Sequence, residues 1–113
     1  MLMSHIDPSG LAALSPDAHQ AAMERFVSFT QALADSGVLR GAERLQAAET
    51  ATTVRVRDER TLLTDGPYAD LTESFGGFWI VEAPDLDAVL AYADGCPAAE
   101  YGSLEIRPLA ELG

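Results

Sequence analysis

Apolar residues recur along this chain with two different periods. Leu2 and Ile6 face one way and Met1, Met3 and His5 the other, so Met1 to Asp7 reads as a short first strand before Pro8-Ser9-Gly10 breaks the chain. Ser15-Pro16-Asp17 then supplies a serine cap, a proline at the first helical position and an acid in the first turn. Ala22, Phe26, Phe29 and Leu33 follow at helical spacing on one face, and Gly37 suits a left-handed stop. Val38-Leu39 and Glu43-Arg44-Leu45 predict a second strand. From Thr52 to Arg57 the period drops to two, with Thr52, Val54 and Val56 opposite Thr53, Arg55 and Arg57. Asp58-Glu59 predicts a tight reversal into Thr61-Leu62-Leu63, although glutamate suits such a turn poorly. The stretch Phe75 to Val81 is apolar on both sides: Phe75, Trp79 and Val81 fall on one face, Phe78 and Ile80 on the other. Pro84-Asp85 starts a second helix whose stripe is Leu86, Val89, Leu90 and Ala93 and whose stop is Gly95. Leu104 and Ile106 alternate with Glu105 and Arg107 in a last strand, ended by Pro108.

The order strand, helix, strands, helix, strand predicts an α+β fold of the ferredoxin-like type, β-α-β-β-α-β, with an inserted β-hairpin, as a single domain over residues 1–113. Two helices in so short a chain cover only one face of the sheet. A central strand that is apolar on both sides needs a cover for the other face, and a second copy of the chain is the most economical one. The expectation is therefore a homodimer whose sheets pack face to face.

Charge narrows the list of partners. Eighteen acids against seven basic residues, all of them arginine, leave a net charge of −11. Affinity for nucleic acid rests on cations that neutralise phosphates, so neither nucleic acid nor an anionic membrane is an expected partner. No apolar run approaches the roughly 20 residues of a membrane span, and no basic segment precedes an apolar one at the N-terminus. A single cysteine, Cys96, excludes an internal disulfide and a cysteine-based metal site. A cytoplasmic location is the default expectation.

Thr64-Asp65-Gly66-Pro67-Tyr68 is the stretch with candidate chemistry. Gly before Pro is confined to extended geometry and Pro fixes its own φ, so Asp65 is expected at a rigid strand exit rather than on a floppy tip. The competing structural reading makes Asp-Gly-Pro a plain turn, with Asp65 bonded to its own backbone. Glu43 and Glu73 are candidates to line a cleft beside Asp65, with Tyr68 as a wall; otherwise they are solvated acids and a core or interface aromatic. Of the two histidines, His5 near the end of the first strand is the candidate to meet Asp65 as a base, and His19 reads as a surface residue. Two histidines so placed make no metal constellation, and no cofactor is expected. Ser74 and Ser103 lack the setting of an activated nucleophile.

Taken together, Gly37-Val38-Leu39 with Glu43 and Leu45, Ala51-Thr52-Thr53-Val54-Arg55, Asp65-Gly66-Pro67-Tyr68, Glu73 with Gly76-Gly77-Phe78, and Glu105-Ile106-Arg107-Pro108 resemble the YCII-related family, in particular its DGPF-domain branch. The resemblance runs through almost the whole chain in the family's order. It implies the dimeric α/β barrel arrangement, in which ferredoxin-like protomers pair through their sheets. It also implies a cleft where a histidine of the first helix approaches an aspartate. Here that helix position is Arg25, which binds anions but cannot shuttle a proton. Thr72 stands where this branch often has lysine, and the family's first strand is usually more apolar than Met1 to Asp7. The expected function is a small homodimer binding a polar or anionic molecule in a helix–sheet cleft through Asp65, Arg25 and Tyr68, with any catalysis being cofactor-free acid–base chemistry. The alternative is a non-enzymatic interaction module, since members of this branch often occur beside extracytoplasmic-function sigma factors.

Overall fold

A computed structural model describes residues 1–111. Six strands and four helices alternate as β1 (Leu2–Ile6), α1 (Pro8–Ala12), α2 (Pro16–Asp35), β2 (Leu39–Arg44), β3 (Thr52–Arg57), β4 (Arg60–Asp65), β5 (Ser74–Val81), α3 (Leu86–Ala93), α4 (Ala98–Tyr101) and β6 (Gly102–Ile106). Four of the strands form an antiparallel sheet in the order β2-β5-β1-β6, the ferredoxin-like arrangement, while β3 and β4 pair only with each other as the inserted hairpin.

The helix signals act as their chemistry requires. Ser15 caps α2 by accepting from the Ala18 amide at 3.2 Å, and Asp85 caps α3 by accepting from Ala88 at 2.9 Å. The α2 stripe packs on the sheet: Ala22, Phe29 and Leu33 are buried and Phe26 partly so. Phe26, Phe29 and Leu33 meet Leu2 and Trp79 at the centre of the core. Phe29 approaches the Trp79 ring edge-on at 5.1 Å, Phe26 stacks on it at 6.5 Å, and the indole Nε1 donates to Thr30 Oγ1 at 2.8 Å.

Three local expectations are corrected. Pro8-Ser9-Gly10 does not simply break the chain; Asp7 caps it and it winds into α1. A further short helix, α4, intervenes before the last strand. Phe75 does not share a face with Trp79. The β1–β5 register runs Leu2 with Trp79, Met3 with Phe78, Ser4 with Gly77 and then His5 with Phe75, so Gly76 is the extra residue of a bulge. A bulge inverts alternation beyond it, and Phe75 joins Phe78 on the face away from the helices. Gly77 answers a different need: a Cβ there would stand 2.9 Å from the Glu43 carbonyl oxygen of β2.

That second face is laid out by register. Glu43, Phe78, Met3 and Glu105 lie side by side across β2, β5, β1 and β6, and Phe75, His5 and Ser103 form the next row. No helix covers it among the described residues, and Phe75 stays 42% exposed. The hairpin is more open still. Asp58 and Glu59 both take positive φ (50° and 63°), the geometry of the tight two-residue reversal, and Val54, Val56, Leu62 and Leu63 remain exposed along the ribbon. No helix among the described residues is long and apolar enough to cross a membrane.

Candidate functional site

Asp65 is the last residue of β4, paired across the ribbon with Thr52. Three hydrogen bonds from the first half of the hairpin region hold the corner that follows. The Gly66 amide donates to the Ala51 carbonyl at 2.7 Å, Thr53 Oγ1 donates to the Gly66 carbonyl at 2.8 Å, and Arg55 Nη2 donates to the Tyr68 carbonyl at 3.3 Å. Gly66 adopts φ 102°, a region that disfavours side chains, which accounts for glycine between Asp65 and Pro67. The Asp65 carboxylate accepts no hydrogen bond among the described residues, so it is not spent on its own turn.

This corner opens into a cleft of about 440 Å³ whose far side is the β1–α1 junction. Asp7, Ser9, Glu49, Asp65, Asp70, Thr72 and Ser74 supply its polar wall, and Pro8, Pro67 and Leu71 part of its apolar one. Four carboxylates and no arginine line it. Asp7 is partly committed: its Oδ1 accepts from the Ser9 hydroxyl at 2.7 Å and the Ser9 amide at 2.9 Å, and these bonds pull its pKa below the usual carboxylate value. Asp65 carries no such commitment.

The remaining predicted residues lie elsewhere. Arg25 does not line the cleft; its Nη1 is 2.7 Å from Glu100 Oε2, and that bond raises its guanidinium pKa further. The cleft is thus built by the β1–α1 junction and the hairpin exit, not by the long helix α2. Tyr68 is 78% exposed and outside the cleft wall. Glu43 sits on the uncovered sheet face beside Phe78. Glu73 accepts from Ser103 Oγ at 2.6 Å.

His5 meets a carboxylate, but not that of Asp65. Its Nε2 lies 3.0 Å from Glu105 Oε1, and Glu105 Oε2 accepts from Arg107 Nη2 at 2.6 Å. Arg107 foremost, and His5 second, hold the Glu105 pKa below its ordinary value. The Phe75 ring leans on the imidazole at 5.6 Å and 37°. Cys96 is buried, and burial pushes its thiol pKa up, which keeps it an inert core residue.

The sequence of residues 1–112 matches the model of the YCII-related domain. The chain belongs to the YCII-related family. It is also 29% identical, over 111 residues, to a Rhizobium meliloti protein that bears only the name uncharacterized, an alignment covering 96% of this chain and 90% of that protein.

Within this YCII-related protein, Glu105 is the partner of His5, a pairing that the strand alternation of Leu104 and Ile106 with Glu105 and Arg107 does not by itself disclose. Its signal lay in the topology: in a ferredoxin-like sheet the first and last strands are neighbours, so odd-numbered residues of Met1–Asp7 share a face with odd-numbered residues of β6.

Proposed function

We propose that this YCII-related protein is a homodimer that binds a polar small molecule at the Asp65 cleft, and that the ligand presents a positive charge or hydrogen-bond donors. The observation that carries the reading is the uncommitted Asp65 carboxylate on a braced corner, facing a cleft with further carboxylates and no arginine. Such a wall repels an anion, so the anionic class loses its support once Arg25 is paired with Glu100. In a thermal-shift panel of amines, amino alcohols and dicarboxylates, stabilisation by an amine class is the expected result. Asp65→Asn should then weaken that ligand by about tenfold to a hundredfold while melting as the parent does, because a hydrogen bond to a charged group contributes about 1.5–3 kcal/mol. Unchanged affinity, or stabilisation by the dicarboxylates alone, sinks this reading.

The dimer has its own support. A two-stranded ribbon is marginal alone, and both it and the second sheet face expose apolar side chains. Sedimentation equilibrium is expected to give twice the 12.0 kDa chain mass, and a monomer at micromolar concentration counts against it. An interaction module is the second reading, favoured by the same exposed ribbon; it predicts no shift with any small molecule and capture of a basic protein partner.

A further inference from the structure

Among the described residues β3 and β4 pair only with each other, and the four-stranded sheet ends at β6, so the ribbon and the sheet both present open strand edges. We propose that the ribbon of one copy joins the β6 edge of a second copy, with β3 antiparallel to β6 and the partner's Arg55 opposite Glu105. This rests on the homodimer proposed above and names a contact that joins its halves.

Hydrogen-bond phase decides which residues an edge offers. Met1 and Arg107 exchange both backbone bonds, at 2.7 and 2.9 Å, so the bonded pairs of β1 and β6 continue as Met3 with Glu105 and His5 with Ser103. Leu104 and Ile106 therefore turn their amides and carbonyls outward. In the ribbon the Gly66 amide bonds the Ala51 carbonyl, so Thr53, Arg55 and Arg57 bond across to β4 while Val54 and Val56 face outward. The two edges close on each other when Ile106 meets the partner's Val54 and Leu104 meets the partner's Val56. Strand addition of this kind satisfies both rows of backbone groups.

The side chains match that register on both faces. Leu104 and Ile106 point to the helix side, where with Leu90 and Ala93 of α3 they line a groove of about 570 Å³. Leu90 is exposed, and so are Val54, Val56 and Leu63, which share one face of the ribbon. Docking buries the ribbon's valines against that groove. On the other face Glu105 meets the partner's Arg55, and Ser103, whose hydroxyl donates to Glu73, meets the partner's Arg57. Within their own copy Arg55 and Arg57 bond backbone carbonyls, and neither pairs with a carboxylate among the described residues. Glu105 already holds His5 and Arg107, one on each oxygen, and each oxygen keeps a second lone pair for the partner's Arg55. The other edges fit less well. Strand β4 would set Leu62 or Thr64 opposite Glu105, and the β2 edge carries Arg40 and Arg44 and an irregular register.

Disulfide trapping tests the register. In a Cys96→Ala parent, Glu105→Cys and Arg55→Cys are made in separate chains, mixed and left to exchange subunits, so a bond between the two kinds of chain is intermolecular. Facing residues of a non-hydrogen-bonded antiparallel pair stand about 4.5 Å apart at Cα, within the span of a disulfide. Oxidation is expected to give the mixed covalent dimer, identified by mass, about tenfold more than Glu105→Cys mixed with Thr53→Cys, which lies two residues out of register. Amide hydrogen exchange of the unsubstituted chain is the second measurement. Val54, Val56, Leu104 and Ile106 should exchange about 100-fold slower than in an unstructured chain. Should a cysteine variant fail to fold, the exchange decides alone. A monomer by sedimentation defeats the dimer and the docking together. A dimer that gives no preferred link at Glu105, or that exchanges these four amides freely, keeps the dimer reading and overturns the docking. If the β6 amides slow only when the peptide acetyl-Lys-Ile-Arg-Val-Lys-amide is added, the edge belongs to a foreign basic strand, and the docking is overturned as well.

Discussion

Gly102→Ala is expected to cost about 3 kcal/mol, with a fall in Tm of about 10–20 °C, the upper end of what overpacking does. Gly102 opens β6 opposite Ile6 of β1. The obstacle is the neighbouring strand. A Cβ at Gly102 would stand 2.8 Å from the Ile6 Cα and closer still to the His5 carbonyl oxygen, and a backbone cannot step aside as a flexible side chain can. Relief requires β1 and β6 to part near His5 and Glu105, so the variant should weaken that contact along with stability. Gly10→Ala is the control, because nothing lies within 4 Å of its Cβ position and alanine suits helix α1. Equal melting temperatures for Gly102→Ala and the parent contradict the close approach of β1 and β6.

Trp79→Ala is expected to remove about 3–5 kcal/mol, a large share of the about 5–15 kcal/mol that a domain of this kind possesses. The indole is 7% exposed, lies between Phe26 and Phe29 of α2, and pairs through its strand with Leu2 of β1. Its loss leaves a cavity where α2 and both central strands meet. Trp79→Phe is the milder change. It keeps an aromatic against Phe29 but gives up part of the ring's packing and the donation to Thr30, which still bonds the Phe26 carbonyl, so a smaller loss of about 1–2 kcal/mol is expected. Urea unfolding followed by circular dichroism measures both, and a Trp79→Ala midpoint near that of Trp79→Phe contradicts the central role of the ring.

The fold was legible because its signals are local or periodic. Caps at Ser15 and Asp85, the α2 stripe and the alternation in β3 each act within a few residues, and their order allows few topologies. Phe75 was misassigned because a bulge is a two-strand event: Gly76 gave no sign of which residue of β1 it would be slipped against. Arg25 was joined to Asp65 by analogy of position along the helix. In the structure α4, which no periodicity announced, brings Glu100 to that arginine.

The candidate sites divide the same way. The Asp65 corner could be read in advance, since glycine and proline constrain the backbone on which that residue sits. That its carboxylate stays free, and that Asp7 and Asp70 rather than an arginine share its cleft, could not. The His5–Glu105 pair joins residues 100 positions apart.

The amino-acid sequence by itself determined the order of the six strands and the two longer helices, the α2 core stripe, the hairpin and the YCII-related membership, because helix, strand and turn preferences are short-range and survive in any context. Only the tertiary structure decided which carboxylate each basic side chain meets and which face Phe75 occupies. Those outcomes depend on strand register and on chain brought back from far away, where a shift of one residue exchanges one partner for another.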